Sequence, residues 1–203
     1  MKASHRILYV VNAFENDAPT RMTIATALGL QAAGWQIAII AWSRGGPTRS
    51  EVEAAGIRTA VLSGIRSLQL AAFIRRFGPS IVHSILVRPT LGTMMTRLSL
   101  AGRPFYWVAG DHGIHEWQER GRLVGALLNR IMPSILTIPD AVTTVSNAAA
   151  RQLLRRGVPP SSLHIIPNGI DPRVYYPRSR AERCTVTAGY FPQDDPWEVW
   201  PLL

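Results

Sequence analysis

The sequence predicts a doubly wound α/β domain, a mostly parallel sheet of about seven strands with helices on both faces. Three observations lead there. Apolar runs of strand length alternate with amphipathic stretches of helix length from residue 6 to about 166. The first two runs, "RILYVVNAF" and "WQIAIIAW", are nearly continuous, as in parallel strands buried on both faces. Glycine or proline stands at most of the junctions between runs.

The elements follow in order. "RILYVVNAF" is the first strand. Asp17 suits a helix N-cap with Pro19 in the first turn, and the helix through "RMTIATALGLQAA" should stop at Gly34. "WQIAIIAW" is the second strand, "SEVEAAG" a short helix, and "IRTAVL" the third strand. "SLQLAAFIRRF" is helical up to Gly78-Pro79, and "SIVHSIL" is the fourth strand. Pro89 opens the helix "TLGTMMTRLSL", and "PFYWVAG" is the fifth strand. "GRLVGALLNRIMPSIL" reads as a helix kinked at Pro133. "AVTTVS" is the sixth strand, "NAAARQLLRRG" the next helix, and "LHIIP" a short seventh strand. Asn168-Gly169 suits a tight turn with positive φ. The expected division is a domain over residues 1–177 and an irregular tail over 178–203, where three prolines interrupt any strand–helix pair.

Composition narrows the class. With 203 residues, 47% hydrophobic and 17% charged, the chain has material for a real core. No stretch approaches the roughly 20 apolar residues of a membrane-spanning helix. The basic, apolar N-terminus imitates an export signal, but Asn12, Glu15 and Asp17 interrupt it, and a first strand is the better reading. A single cysteine, Cys184, cannot form an internal disulfide, which fits a cytoplasmic setting. Net charge is +9, and between Ala54 and Gly110 there are seven arginines and no acidic residue. Such a field favours anionic partners, including an acidic membrane surface on which the protein would sit peripherally. Nucleic acid is disfavoured, for no aromatic stacking platform or known motif accompanies the charge. The stripe of the helix at Gly121 to Leu136 is either a membrane-docking face or core.

In a doubly wound sheet, ligands bind at the carboxyl ends of the strands. The turn after the first strand, "NAFENDAPTR", holds no glycine, so a G-x-G-x-x-G dinucleotide loop is absent. The fourth strand ends near His83, Ser84 and Arg88; His83 suits a core position and Arg88 an anion. After the fifth strand, "AGDHGIHEWQER" gathers Asp111, His112, His115 and Glu116, with Gly110 and Gly113 allowing a sharp turn around His112. A neutral histidine there can hydrogen-bond a sugar hydroxyl or developing charge. His-x-x-His alone is no zinc pattern and a third ligand is not obvious, so no metal is expected. Ser146 stands where it would cap the last long helix, whose N-terminus faces the same edge.

"GDHGIHEW", "DAVTTVSNAAARQLLRRGVPPSSLHIIPNGID" and the opening "RILYVV…GLQAAGWQIAIIAW" together resemble the N-terminal half of glycosyltransferase family four, over residues 6 to about 177. The resemblance implies a Rossmann-like domain forming one half of a GT-B fold. It implies a retaining, nucleotide-sugar-dependent hexosyl transfer to a glycan or lipid-linked acceptor in polysaccharide biosynthesis. No cofactor or metal is implied beyond the nucleotide-sugar co-substrate. By position, His112 matches a histidine that contacts the reacting sugar, and Ser146 a serine before a helix. Arg88, Asp111, His115 and Glu116 become candidates for acceptor binding, and Asn168, Gly169 and Asp171 match a hinge into a second, donor-binding domain. The chain departs from the family pattern in "ENDAPTR", where a glycine-rich turn is usual, and at Ile85, where many members have a second histidine. Only 26 residues follow Pro177, so the expectation is a truncated transferase, weakly active or inactive alone. The alternative is a non-catalytic module binding glycans or anionic headgroups, or an acceptor-binding subunit that needs a separate donor-binding partner.

Overall fold

The computed structural model describes residues 5–100, 105–112 and 122–169. Seven strands form one sheet in the order β3-β2-β1-β4-β5-β6-β7, and every neighbouring pair is parallel. The strands are β1 (Arg6–Ala13), β2 (Gln36–Arg44), β3 (Arg58–Val61), β4 (Ile81–Ile85), β5 (Tyr106–Asp111), β6 (Ala141–Thr144) and β7 (Leu163–Ile165). The helices are α1 (Ala18–Ala32), α2 (Arg49–Ala54), α3 (Arg66–Phe77), α4 (Val87–Ser99), α5 (Arg122–Ile135) and α6 (Asn147–Arg155). Chain order runs outward from β1 in one direction and then, after β3, outward from β4 in the other. The reversal lies between β1 and β4, which is where doubly wound sheets open a crevice.

The apolar runs produce the core. In β1, Leu8 and Val10 point to one face and Ile7, Tyr9 and Val11 to the other, and all five are buried. The second face packs on α1 and α2 through Ile24, Ala27 and Val52. The first packs on α3 through Leu70, Ala71, Ile74 and Phe77, with Val82 and Trp107 from β4 and β5. Farther along, Ala109 and Val142 meet Val87, Leu128, Met132 and Leu153 from α4, α5 and α6. Each such large apolar side chain contributes about 1.5–3 kcal/mol by leaving water. Gly125, Leu128, Met132 and Leu136 are all buried, at spacings of three and four residues, so this stripe of α5 is core, while Leu127 and Ile131 stay exposed.

The helix ends are set by the residues that predict them. Asp17 Oδ1 accepts from the Thr20 N–H at 2.9 Å, and Ser146 Oγ from the Ala149 N–H at 3.1 Å. Gly34, Gly78 and Gly157 take positive φ just past α1, α3 and α6. Two expectations need correction, and one element is added. The fourth helix starts at Val87, ahead of Pro89, because a proline in a first turn forfeits only an N–H that has no intrahelical partner. A short 3-10 turn, Pro160–Ser162, precedes β7. Gly169 is not among the positive-φ glycines and Asn168 is not among the positive-φ residues; residues 166–169 are exposed and lie outside any helix or strand. The tail expected over 178–203 lies outside the described residues.

Candidate functional site

The carboxyl edge of the sheet collects the ends of β1, β4, β5 and β6. His112 follows β5 directly and is half-buried. Burial lowers its pKa, and the Asp17 carboxylate, close enough to act on it, works in the opposite direction. The imidazole is therefore neutral near pH 7, with one nitrogen able to donate and the other to accept. Asp17 has two functions from one position: it caps α1 and it supplies the negative charge facing His112. Sequence reading finds the first. The second depends on β1 and β5 converging at one edge, which local spacing does not reveal.

His83 lies behind His112. Burial lowers its pKa to about 4, and the neighbouring His112 adds to this. Its ring is tilted against the Tyr9 ring at 5.4 Å between centroids, and its Nε2 is 3.5 Å from Thr143 Oγ1. Gly110 makes room for it. A Cβ at that position would sit 3.0 Å from His83 Nε2. The expected role of Gly110 as a sharp turn is thus corrected: its φ is not positive, and it is needed for space.

The other sequence candidates separate. Asp111 ends β5 and is buried. Ser84 is fully buried, where it receives the Trp107 indole N–H at 2.9 Å and lies 3.1 Å from Thr90 Oγ1. It belongs to a small polar relay in the core. Ser146 caps α6 at the same edge. Arg88 is exposed in the first turn of α4, away from the histidines in the chain but on the same edge. His115, Glu116 and Asp171 lie outside the described residues, as does Gly113. Among the described residues, no group of three or more His, Cys, Asp or Glu could hold a metal, and no helix is long and apolar enough to cross a membrane.

Two backbone features shape this edge. Leu86, between β4 and α4, has φ 74° and ψ 174°, a region that is essentially reserved for glycine. It turns the chain abruptly, and its N–H reaches the Gly110 carbonyl at 3.0 Å. The turns after β1 and β2 are also joined. The Ser43 hydroxyl donates to the Asn12 carbonyl at 2.7 Å, the Thr48 N–H to the Phe14 carbonyl at 3.2 Å, and Arg44 Nε to Glu15 at 2.8 Å. Gly46 lies so close that a Cβ there would overlap the Phe14 carbonyl group.

Comparison with known proteins places this arrangement. No curated protein sequence matches the chain. Among solved structures, it is similar to a glycosyltransferase from Rickettsia africae ESF-5, with a TM-score of 0.65 and 19% identity, covering 84% of this chain and 44% of that one. It is similar to Anabaena Alr3699/HepE in complex with UDP-glucose, with a TM-score of 0.69 and 14% identity, covering 87% and 47%. It is similar to the lipopolysaccharide outer core galactosyltransferase WaaB, with a TM-score of 0.61 and 12% identity, covering 81% and 46%. These likenesses show the fold, the Rossmann-like half of a GT-B architecture, and the chain spans less than half the length of these three structures. The model of Glycosyltransferase Family 4 matches residues 20–174, most of the described sheet and its helices, and the chain belongs to that family.

Proposed function

We propose that this chain is the acceptor-side domain of a retaining, metal-independent glycosyltransferase that moves a hexosyl group from a nucleotide-sugar to a glycan or lipid-linked acceptor. The observation that carries the reading is the neutral His112 at the end of β5, beside Asp17 and near the sheet's reversal point. A neutral imidazole there can hold a sugar hydroxyl as donor or acceptor without placing a full charge against the reacting centre. The leaving nucleotide diphosphate would be met elsewhere, because the turn after β1 has no glycine to let backbone N–H groups close around phosphates. The similarity to a structure holding UDP-glucose and to a galactosyltransferase supports hexosyl transfer. All strands are parallel, so β7 ends on the same edge as His112, and Asn168 and Gly169 follow it there, consistent with a hinge role.

By this reading the chain binds sugars at His112. The test is to follow the His112 imidazole by NMR while adding simple hexoses and hexose disaccharides, then UDP and UDP-glucose. Saccharides are expected to shift its resonances, and the nucleotide to leave them unchanged. Saccharide binding that is unaltered in His112→Ala would overturn the assignment.

A further inference from the structure

A second cluster stands at the same edge and is not explained by His112. An open cleft of about 340 Å³ lies between the start of α3 and the exposed side of α4. Arg66 and Ser67 line it from α3, Arg88, Leu91 and Met95 from α4, and Trp42 from the end of β2. Gly92 allows the indole to lie there, for a Cβ at that position would overlap the Trp42 ring.

The cleft's charge is uncompensated. Arg21, Arg44, Arg49 and Arg97 each pair with a carboxylate, whereas neither Arg66 nor Arg88 has a hydrogen-bond or ion-pair partner among the described residues. None is close in sequence, because no acidic residue stands between Glu53 and Asp111. Both arginines also occupy first turns of helices that hold no acidic residue there, where the backbone dipole already disfavours a cation. Two planar guanidinium forks converging on one cleft match a phosphate, whose oxygens accept paired N–H bonds.

The rim of the cleft is apolar. Met95 lines it and is 55% exposed; Leu98, one turn farther along α4, is 73% exposed. Large apolar side chains left in water beside unpaired cations fit a ligand that is anionic at one end and apolar along its length.

We propose that this cleft is the subsite for a lipid phosphate: Arg66 and Arg88 hold the phosphate, Trp42 covers it from the sheet side, and the apolar chain runs over Met95 and Leu98. The inference deepens the reading of this domain as the acceptor side by naming a lipid-linked, phosphate-bearing acceptor.

The test uses the whole chain and farnesyl phosphate below its micellar concentration, with glucose 1-phosphate and farnesol as arms lacking the chain or the phosphate. Binding is read by calorimetry and by Trp42 fluorescence, with Trp42→Phe as the optical control. Farnesyl phosphate is expected to bind at least about tenfold more tightly than either arm. Arg66→Gln with Arg88→Gln should weaken it about tenfold or more, Met95→Ser with Leu98→Ser should remove its advantage over glucose 1-phosphate, and Arg76→Gln, toward the other end of α3, should change little. Glucose 1-phosphate binding as tightly as farnesyl phosphate would overturn the lipid assignment in favour of a soluble sugar phosphate. Equal losses from Arg76→Gln and the Arg66/Arg88 pair would reduce the cleft to diffuse charge. The saccharide response of His112 is read separately, so failure here leaves the function proposed above standing, and the reverse also holds.

Discussion

The histidine centre and the arginine cleft share one sheet edge, yet they are made of different chemistry. His83 and His112 are held by β4 and the end of β5, are partly or largely withdrawn from water, and have pKa values lowered by burial, while Asp17 stands exposed at the start of α1. Arg66 and Arg88 stand on exposed first turns, and a guanidinium is a cation by nature, without a neutral form in ordinary use. The first centre suits work at a reacting sugar, where a neutral group must not be displaced by its own ionisation. The second suits holding a permanent anion. Acid should therefore disturb one and salt the other, and that division can be broken experimentally.

The largest expected effect is on stability in acid. His83 has a folded pKa near 4 against about 6.5 when unfolded, so the unfolded chain binds the proton more readily in that interval. The stability that goes with its neutral burial is complete above about pH 6.5 and is lost as pH falls toward 4. The loss is at most about 3 kcal/mol, and less in so far as solvent reaches the ring. Urea midpoints measured from pH 7 to pH 4.5 check this, and His83→Gln should flatten the curve. An equal slope in that variant would mean that other groups carry the acid sensitivity.

Next comes a pair of glycines, one from each centre. Gly92→Ala drives a methyl into the Trp42 ring and should cost about 1–3 kcal/mol, with a changed Trp42 emission. Gly110→Ala comes tightest against the end of the His83 ring, at 3.0 Å, with Ile85 Cδ1 at 3.4 Å and Thr143 Oγ1 at 3.5 Å, and all three are side-chain atoms that can move by a few tenths of an ångström. Its cost should be smaller, and its signature a shifted His83 titration. Denaturation midpoints that rank the two in the other order would show the cleft to be the softer region.

The smallest effect separates the two functions of Asp17. Asp17→Ala removes the cap and should cost about 1 kcal/mol. Asp17→Asn keeps a good cap, so stability should barely move, while the His112 pKa falls because the carboxylate that raises it is gone. NMR titration of the His112 imidazole in the two variants decides the matter; an unchanged pKa in Asp17→Asn would disconnect the two residues.

Much of the fold is legible in residue order. Alternating apolar runs, Asp17 and Ser146 at helix starts, and Gly34, Gly78 and Gly157 after helix ends act through neighbours one turn away, so local pattern captures them. The sites are less legible because they join segments far apart in the chain. Asp17, at the start of α1, meets His112 at the end of β5, and His83 needs the bare backbone of Gly110 on the next strand. The seven arginines between Ala54 and Gly110 look like one field in sequence, but folding disperses them. Arg97 is tied to Asp140 at 3.0 Å, Arg58 lies on an edge strand, and Arg66 and Arg88 meet at the cleft with Trp42, a residue that composition gives no reason to single out.

The joined turns after β1 and β2 bear on the time course of recognition. A segment fastened at Asn12, Phe14 and Glu15, and pressed against the backbone at Gly46, has no slack with which to fold over an arriving molecule. Ligands reaching this wall would meet a surface already in its final shape. Encounter should then proceed at ordinary diffusive speed, and preference among related sugars should appear as differences in residence time.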